Sequence, residues 1–278
     1  DNFIELEGIT VQGIRQGQAR ALNQQKTAAN IKNVVASDLI GRFPDQNVAD
    51  ALRRVPAVSV QRDQGEARYV QIRGTNPNLS NISINGEQIP SPEGDVRYAA
   101  LDMIPSDVLS SIEVTKAITP DMDGDAIGGS VNLNTLSATR AGRTVRVTLA
   151  PGYNNQAQDL SPFGGILAAT YGDRVADGKF GFIVSGSYNN SNRASNNNEM
   201  EYDGSSIDAL ELRDYELNRE RAGLVTSLDY QFNTRSRIYL NSAFNYFTDT
   251  EYRRAFVAEA DVMARELKDR LEKQKIFS

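Results

Sequence analysis

Asp121-Met122-Asp123-Gly124-Asp125 opens like a calcium loop, in which alternate carboxylates present hard oxygen ligands to the cation. Such a loop also needs glycine at its sixth place and glutamate at its twelfth, and those places hold Ala126 and Asn132. The run therefore reads as an exposed acidic turn. Gly124-Asp125-Ala126-Ile127-Gly128-Gly129 is glycine-rich but matches neither dinucleotide nor P-loop spacing, and it lacks the P-loop lysine. Its glycines are expected to give the backbone a tight path into a strand at Ser130. With 36 acidic residues, a pair of carboxylates can be chosen almost anywhere, which leaves no specific signal for a glycosidase. The chain has 0 Cys and 0 His, so disulfides, thiolate and imidazole metal sites, and the usual serine–histidine hydrolase arrangement are excluded. No catalytic residue, metal or cofactor is assigned, and the prior moves toward binding or transport.

The elements that would position such a binding site fall into two unlike parts. The 278 residues carry a net charge of -6, which argues against a broad nucleic-acid surface. No run of about 18 apolar residues is present to form a transmembrane helix. The first residues lack the charged-then-apolar pattern of a signal peptide, so an uncut secretory precursor is excluded and a processed one is not. Residues through Arg20, with Gly8, Gly13 and Gly17 among polar groups, read as a flexible arm. Val48, Ala51, Leu52 and Val55 then make one helical stripe, with Asp45 as the expected cap and Pro56 as the stop. Strands are expected at Arg68–Arg73 and Asn81–Asn85, each followed by a turn glycine, Gly74 or Gly86. Ser106 or Asp107 is expected to cap a brief helix, and Ser111–Lys116 and Ser130–Asn134 read as further strands. This interleaving predicts a compact mixed domain of about 120 residues.

From Arg143 onward the pattern is a long two-residue alternation. Ala222, Leu224, Thr226, Leu228, Tyr230 and Phe232 alternate with Gly223, Val225, Ser227, Asp229 and Gln231. Ile238, Leu240, Phe244 and Tyr246 repeat it, as do Phe180, Phe182, Val184 and Tyr188, and Val145, Val147 and Leu149. Segments of about 9–11 residues with one apolar face and aromatic ends suit tilted strands crossing a bilayer. Short turns at Gly172–Gly178 and Asn233–Ser236 against a long, Asn-rich loop at Asn189–Arg219 fit the loop asymmetry of an outer-membrane barrel. A soluble β-sandwich also alternates; strand length and loop asymmetry favour the barrel. The stretch Arg265–Lys275 reads equally as an amphipathic helix, with Met263, Leu267 and Leu271 four apart, or as a strand rising from a loop.

Several motifs in order resemble the TonB-dependent outer-membrane receptors. The segment Phe43-Pro44-Asp45-Gln46-Asn47-Val48-Ala49-Asp50-Ala51-Leu52-Arg53-Arg54-Val55-Pro56-Ala57-Val58-Ser59 resembles the first helix of their plug domain. Its opening is similar to the subgroup found in Caulobacter- and Xanthomonas-like bacteria. Val70-Gln71-Ile72-Arg73-Gly74 resembles the plug's Ile-Arg-Gly strand end, and Ile84-Asn85-Gly86 its following turn. Ile112-Glu113-Val114-Thr115-Lys116 with Ile127-Gly128-Gly129-Ser130-Val131-Asn132-Leu133 resembles its closing signature. The resemblance covers about residues 30–136. It implies an α+β plug domain inside an antiparallel transmembrane β-barrel of about 22 strands. Of these only the first five strands, with the start of a sixth, are expected here. The expected division is an arm over 1–20, a plug over 21–140, and the first barrel strands and loops over 143–278. An open sheet in lipid would leave unpaired amides, so the rest of the barrel is expected as missing sequence or another chain.

The resemblance further implies a non-enzymatic importer of a scarce nutrient in the Gram-negative outer membrane, with the arm in the periplasm. Glu7-Gly8-Ile9-Thr10-Val11 stands where the family has its TonB box, which adds a strand to an energised periplasmic partner. The candidate ligand-contacting residues are Asn76, Asn78 and Ser80 in one apical loop. Pro90, Ser91, Asp95, Arg97 and Tyr98 are the candidates in the next. Arg73, Gly74, Asn85, Gly86, Gly128 and Gly129 are structural. The implied partners are a TonB-type coupling protein, a small ligand and outer-membrane lipid, without nucleic acid. The subgroup's resemblance favours carbohydrate uptake in the form of oligosaccharide, with a siderophore second and haem, cobalamin and peptide open. A ligand-sensing receptor with little transport is the alternative, disfavoured because signalling members carry an added domain before the box. A carboxylate-dependent surface hydrolase has no specific support.

Overall fold

The computed structural model describes residues 12–36, 47–91, 96–120, 122–138, 143–157, 161–259 and 261–278. The chain begins with α1 (Gln12–Thr27) and β1 (Lys32–Ala36). This corrects the expectation of a flexible arm through Arg20. Gly13 and Gly17 disfavour a helix, but the following Gln, Ala, Arg and Leu residues are strong helix formers. Ala21 also finds a buried place beside Val34 and Ala36. The box residues Glu7, Gly8, Ile9, Thr10 and Val11 lie outside the described residues.

The short helix α2 (Val48–Leu52) buries Val48, Ala49, Ala51 and Leu52. Its cap is Asn47, whose side chain accepts the Asp50 N–H at 3.0 Å; the expected cap, Asp45, lies outside the described residues. The helix stops before Pro56 because the Arg53 N–H already turns back to the Asp50 carbonyl. Val55 nevertheless stays buried. Two 3₁₀ turns follow later, at Leu101–Met103 and Ser106–Val108. Pro105 starts the second, and neither Ser106 nor Asp107 caps it as expected.

A hairpin of β2 (Val58–Asp63) and β3 (Glu66–Ile72) stands beside a five-stranded sheet. That sheet comprises β4 (Ser80–Ile84), β5 (Glu87–Gln88), β6 (Leu109–Thr115) and β7 (Gly129–Thr135), with β1 at one edge. Its order is β1-β6-β7-β4-β5, with β4 and β7 parallel and the other pairs antiparallel. Leu52, Ile72, Ile84, Leu101, Ile112 and Leu133 close the core between α2, the hairpin and the sheet.

Six further strands run antiparallel in chain order: β8 (Thr144–Tyr153), β9 (Phe163–Val175), β10 (Phe180–Asp203), β11 (Ser206–Gln231), β12 (Arg237–Glu259) and β13 (Met263–Phe277). Two loop expectations are corrected and one open alternative is settled. The tract Asn189–Arg219 is no loop: β10 and β11 stay paired from Asn189↔Arg221 up to Asp203↔Ser206. Its polar side chains bond across the strands, as Asn218 does to Asn190 (3.1 Å) and Asn192 (2.6 Å), so composition alone misled. Arg265–Lys275 is strand, the partner of β12, and the helical alternative falls. The strand β9 also extends through the expected Gly172 turn, and the chain reverses only at Ala176 and Asp177, both at φ 54°.

One face of this wall turns to the plug. Val225, Ala243, Phe247 and Ile276 join the plug's apolar core, and Gly223 faces Pro105 and Val108. A Cβ at Gly223 would lie 2.7 Å from Pro105 Cγ, so a side chain there forces Pro105 or the strand to shift. The other face carries Val145, Val147, Leu149, Leu224, Leu228, Tyr230, Ile238 and Leu240, all exposed.

Candidate functional site

The plug meets the wall through charge as well as apolar surface. At the tip of the β2–β3 hairpin, Gln64 and Gly65 take φ of 49° and 84°, which reverses the chain and delivers Glu66 to the wall. Glu66 is fully buried. Its Oε2 accepts from Arg219 Nη1 at 2.5 Å and Arg221 Nη2 at 2.7 Å, and its Oε1 lies 3.4 Å from Arg193 Nη2. Arg219 also reaches Asp249 at 3.2 Å and Gln64 at 2.7 Å, while Gln64 donates to Glu251 at 2.9 Å. Arg270 closes the ring on Asp249 (3.2 Å) and Glu251 (3.0 Å). Arg221 Nε donates to the backbone carbonyl of Asp102, and its guanidinium lies over the Phe247 ring.

Burial alone would raise the Glu66 carboxyl, but the guanidiniums of Arg221, Arg219 and Arg193 outweigh it and hold it at about 2. Asp102 goes the other way. Burial pushes it up to about 6, only partly offset by Arg68, Arg219 and Arg221. Its Oδ2 is buried without a hydrogen bond, 3.9 Å from Arg68 Nε. Two neighbouring carboxyls beside the same cations are thus shifted in opposite directions, since Glu66 is hydrogen-bonded to two guanidiniums and Asp102 Oδ2 has no hydrogen bond.

The sequence-predicted loop residues gather elsewhere on the plug. Asn76 is exposed and caps the 3₁₀ turn Pro77–Leu79 by accepting the Asn78 N–H at 3.0 Å. The Asn78 side chain accepts the Arg97 N–H at 3.3 Å, tying the two predicted loops together. Arg97 pairs with Asp125 at 2.5 Å, both about half exposed, which brings in the acidic turn. In that turn the Asp123 side chain accepts the Asp125 N–H at 3.2 Å; Asp121 lies outside the described residues. Tyr98 meets the Tyr69 ring edge-on at 4.5 Å, and Arg68 stacks on the other ring at 5.2 Å. Pro90 is exposed and Ser91 half-buried, while Asp95 lies outside the described residues. Ser80 does not join the exposed group: it is buried at the start of β4.

Arg73 (φ 56°) and Gly74 (φ 71°) turn the chain after β3, and the Arg73 guanidinium donates to the carbonyls of Ile127 (3.1 Å) and Gly128 (3.3 Å). A Cβ on Gly128 would lie 2.4 Å from Thr75 Oγ1, so only glycine lets this loop close on the Asn76–Ser80 turn. Gly129 enters β7 at φ 136°. Asn85 and Gly86 form the β4–β5 turn, and the Asn85 side chain accepts the Thr135 N–H at 3.0 Å. Among the described residues no group of three carboxylates gathers for a metal.

The ionic contact with the wall was missed in the sequence. Extending the alternation of β11 one step back from Gly223 places Arg221 and then Arg219 on the plug-facing side. Two arginines at that phase were the available signal.

Residues 23–130 match the family model of the TonB-dependent receptor plug domain. A ferric enterobactin receptor of Pseudomonas aeruginosa is 27% identical over 135 residues, 43% of this chain and 18% of that protein. A variant of the same organism's ferric enterobactin receptor, solved with enterobactin, superposes with a TM-score of 0.50 at 13% identity. That match covers 89% of this chain and 46% of the other. The siderophore receptor PirA of Acinetobacter baumannii gives 0.48 at 13% identity over 90% of this chain and 45% of its own. Residues 23–130 thus form a domain of the TonB-dependent receptor plug family, followed by six antiparallel strands. The chain spans less than half the length of these relatives.

Proposed function

We propose that the chain forms the plug and adjoining wall of a receptor that imports a scarce nutrient across the Gram-negative outer membrane. In this reading ligand binds over Asn76, Asn78, Pro90, Ser91, Asp95, Arg97 and Tyr98, and Glu7–Val11 engages a TonB-type partner in the periplasm. Strands beyond β8 and β13 complete the barrel, since open edges in lipid leave amides unsatisfied. The observation that carries the reading is the Glu66 contact: beside the apolar contact, a buried ionic cluster holds the hairpin to the wall, and breaking it frees the hairpin. Ligand shifts the resting equilibrium only through its differential affinity for the two plug positions.

Of the two ligand classes, oligosaccharide rests on the subgroup's resemblance alone. An iron chelate is favoured by the description of the 27%-identical relative as a ferric enterobactin receptor. The test has two arms. Uptake of ferric catecholates and of neutral oligosaccharides is compared in cells bearing the receptor. In the second arm Ile9→Pro, which blocks strand addition, should abolish energised uptake while ligand affinity stays unchanged. Wild-type uptake by that variant contradicts the proposal.

A further inference from the structure

Arg221 holds two parts of the plug at once. Its Nη2 donates to Glu66 at 2.7 Å, and its Nε donates to the backbone carbonyl of Asp102. Glu66 belongs to the hairpin, whereas Asp102 sits in the 3₁₀ turn Leu101–Met103. That turn follows directly on the second candidate ligand loop. Between Tyr98 and Asp102 stand only Ala99, Ala100 and Leu101, all buried, so a displacement of Tyr98 finds little slack in the packing. The strands that face this contact, β11 and β12, each have a neighbour on both sides.

A second route joins the same two points. Tyr98 and Tyr69 pack at 4.5 Å with their rings 78° apart, and the Arg68 guanidinium lies 5.2 Å from the Tyr69 ring centre. Asp63 anchors the same guanidinium at 2.5 Å. Arg68 Nε stands 3.9 Å from Asp102 Oδ2, an oxygen that is buried without a hydrogen bond. Closing that gap by about 1 Å makes a charge-assisted hydrogen bond. The carboxyl that closes it belongs to the residue whose carbonyl Arg221 holds, so Asp102 has two competing arrangements. In one, the carbonyl stays on Arg221 and the carboxyl stops short of Arg68. In the other, the carboxyl is drawn onto Arg68 and the carbonyl leaves Arg221. An element with two discrete packings can convert a small shift at one end into release at the other.

We propose that Arg68 is a positioning residue that couples the ligand loop to the hairpin contact, by capturing the Asp102 carboxyl when Tyr98 leaves Tyr69. Without Tyr98 against it, the Tyr69 ring and the guanidinium it carries are free to shift toward Asp102. Arg221 then loses one of its two holds on the plug, and the hairpin opens more readily. A ligand that draws Tyr98 away favours this arrangement through its differential affinity. The inference rests on the import reading above, since it gives that reading's ligand loop its output.

The test needs no ligand. Amide hydrogen exchange over Gln64–Ala67 is followed by mass spectrometry in the full-length receptor in detergent. Tyr98→Ala should speed exchange at the hairpin tip by about tenfold, within the coupling expected of residues in one network. Asp102→Asn keeps the carbonyl and removes the charge that Arg68 captures, and in that background Tyr98→Ala should change exchange by less than about twofold. Arg68→Met should silence the effect in the same way, while Arg68→Lys, which still offers Asp102 a cation, should retain it. Asp102→Asn is near-isosteric and decides the question even where Arg68→Met does not fold. An equal effect of Tyr98→Ala in every background, or none in wild type, overturns the proposal. Lost protection that spreads from the tip into β6 and β7 also overturns it, since Tyr98 then acts only on the plug's stability. The two levels separate cleanly: coupling in a receptor that imports nothing sinks the import reading, whereas import with purely additive effects sinks only this one.

Discussion

Inside the plug, Leu52, Ile72, Leu101, Ile112 and Leu133 are buried against one another, whereas at the upper contact with the wall the buried side chains are Glu66, Arg219, Arg221 and Asp249. The lower part of the same contact is apolar again, through Val225, Ala243 and Ile276. Each fully buried core side chain contributes about 1.5–3 kcal/mol, cohesion that requires no precise orientation. A buried ion pair adds little net stability over an apolar replacement, because desolvation offsets attraction. What it adds is position, since three guanidiniums converge on one carboxylate only when the hairpin stands in a single place. The plug is thus cohesive within itself and registered, rather than glued, against its wall.

Removing the centre of the ionic cluster is the harshest way to break this contrast. Glu66→Ala leaves Arg219 and Arg221 buried without their shared partner and should cost about 3–5 kcal/mol in thermal unfolding of the detergent-solubilised receptor. A loss under about 1 kcal/mol would mean that the cluster is incidental. Ile112→Ala should cost about 3 kcal/mol by leaving a cavity, and hydrogen exchange should localise the loss to β6 and β7 with β10–β12 still protected. Gly128→Ala forces its Cβ against Thr75 and should cost about 1–3 kcal/mol, loosening the tie between the Arg73 and Asn76 turns.

A smaller effect follows pH. Asp102 has a folded-state pKa raised from 3.8 to about 6, so its contribution is full below 3.8 and is lost as pH rises through about 6. Glu66 is depressed to about 2, so its contribution is present above 4.5 and is lost only as pH falls toward about 2. Stability should therefore decline between about pH 4 and pH 6, and Asp102→Asn should flatten that slope; an unchanged slope would assign it to another group. The smallest change is expected for Arg97→Ala, whose exposed pair with Asp125 is worth about 1 kcal/mol or less. Its readout is ligand affinity, with stability as the control.

The two regions were not equally legible in the sequence. The apolar stripe of α2, the glycine turns after β3 and β4, and the alternation of β8–β12 follow from local periodicity and turn chemistry. The plug core was readable for that reason. The length of the β10–β11 hairpin was hidden because Asn and Ser normally mark loops, and only their cross-strand bonding makes them strand. α1 was hidden by its glycines, whose cost is offset by burial of Ala21 against β1. The Glu66 cluster joins residues more than 120 positions apart, and no local pattern couples a hairpin tip to arginines on a distant strand.

The central claim, that the hairpin must leave its place on the wall for import, can be tested with one tether. The 278 residues contain 0 Cys, so Gln64→Cys/Glu251→Cys introduces a unique pair into them at the hydrogen-bonded contact. Joining the two with a short, reducible bis-thiol reagent should abolish energised uptake without changing ligand affinity, and reduction should restore it. Uptake that continues at the untethered rate with the bridge intact would contradict the account.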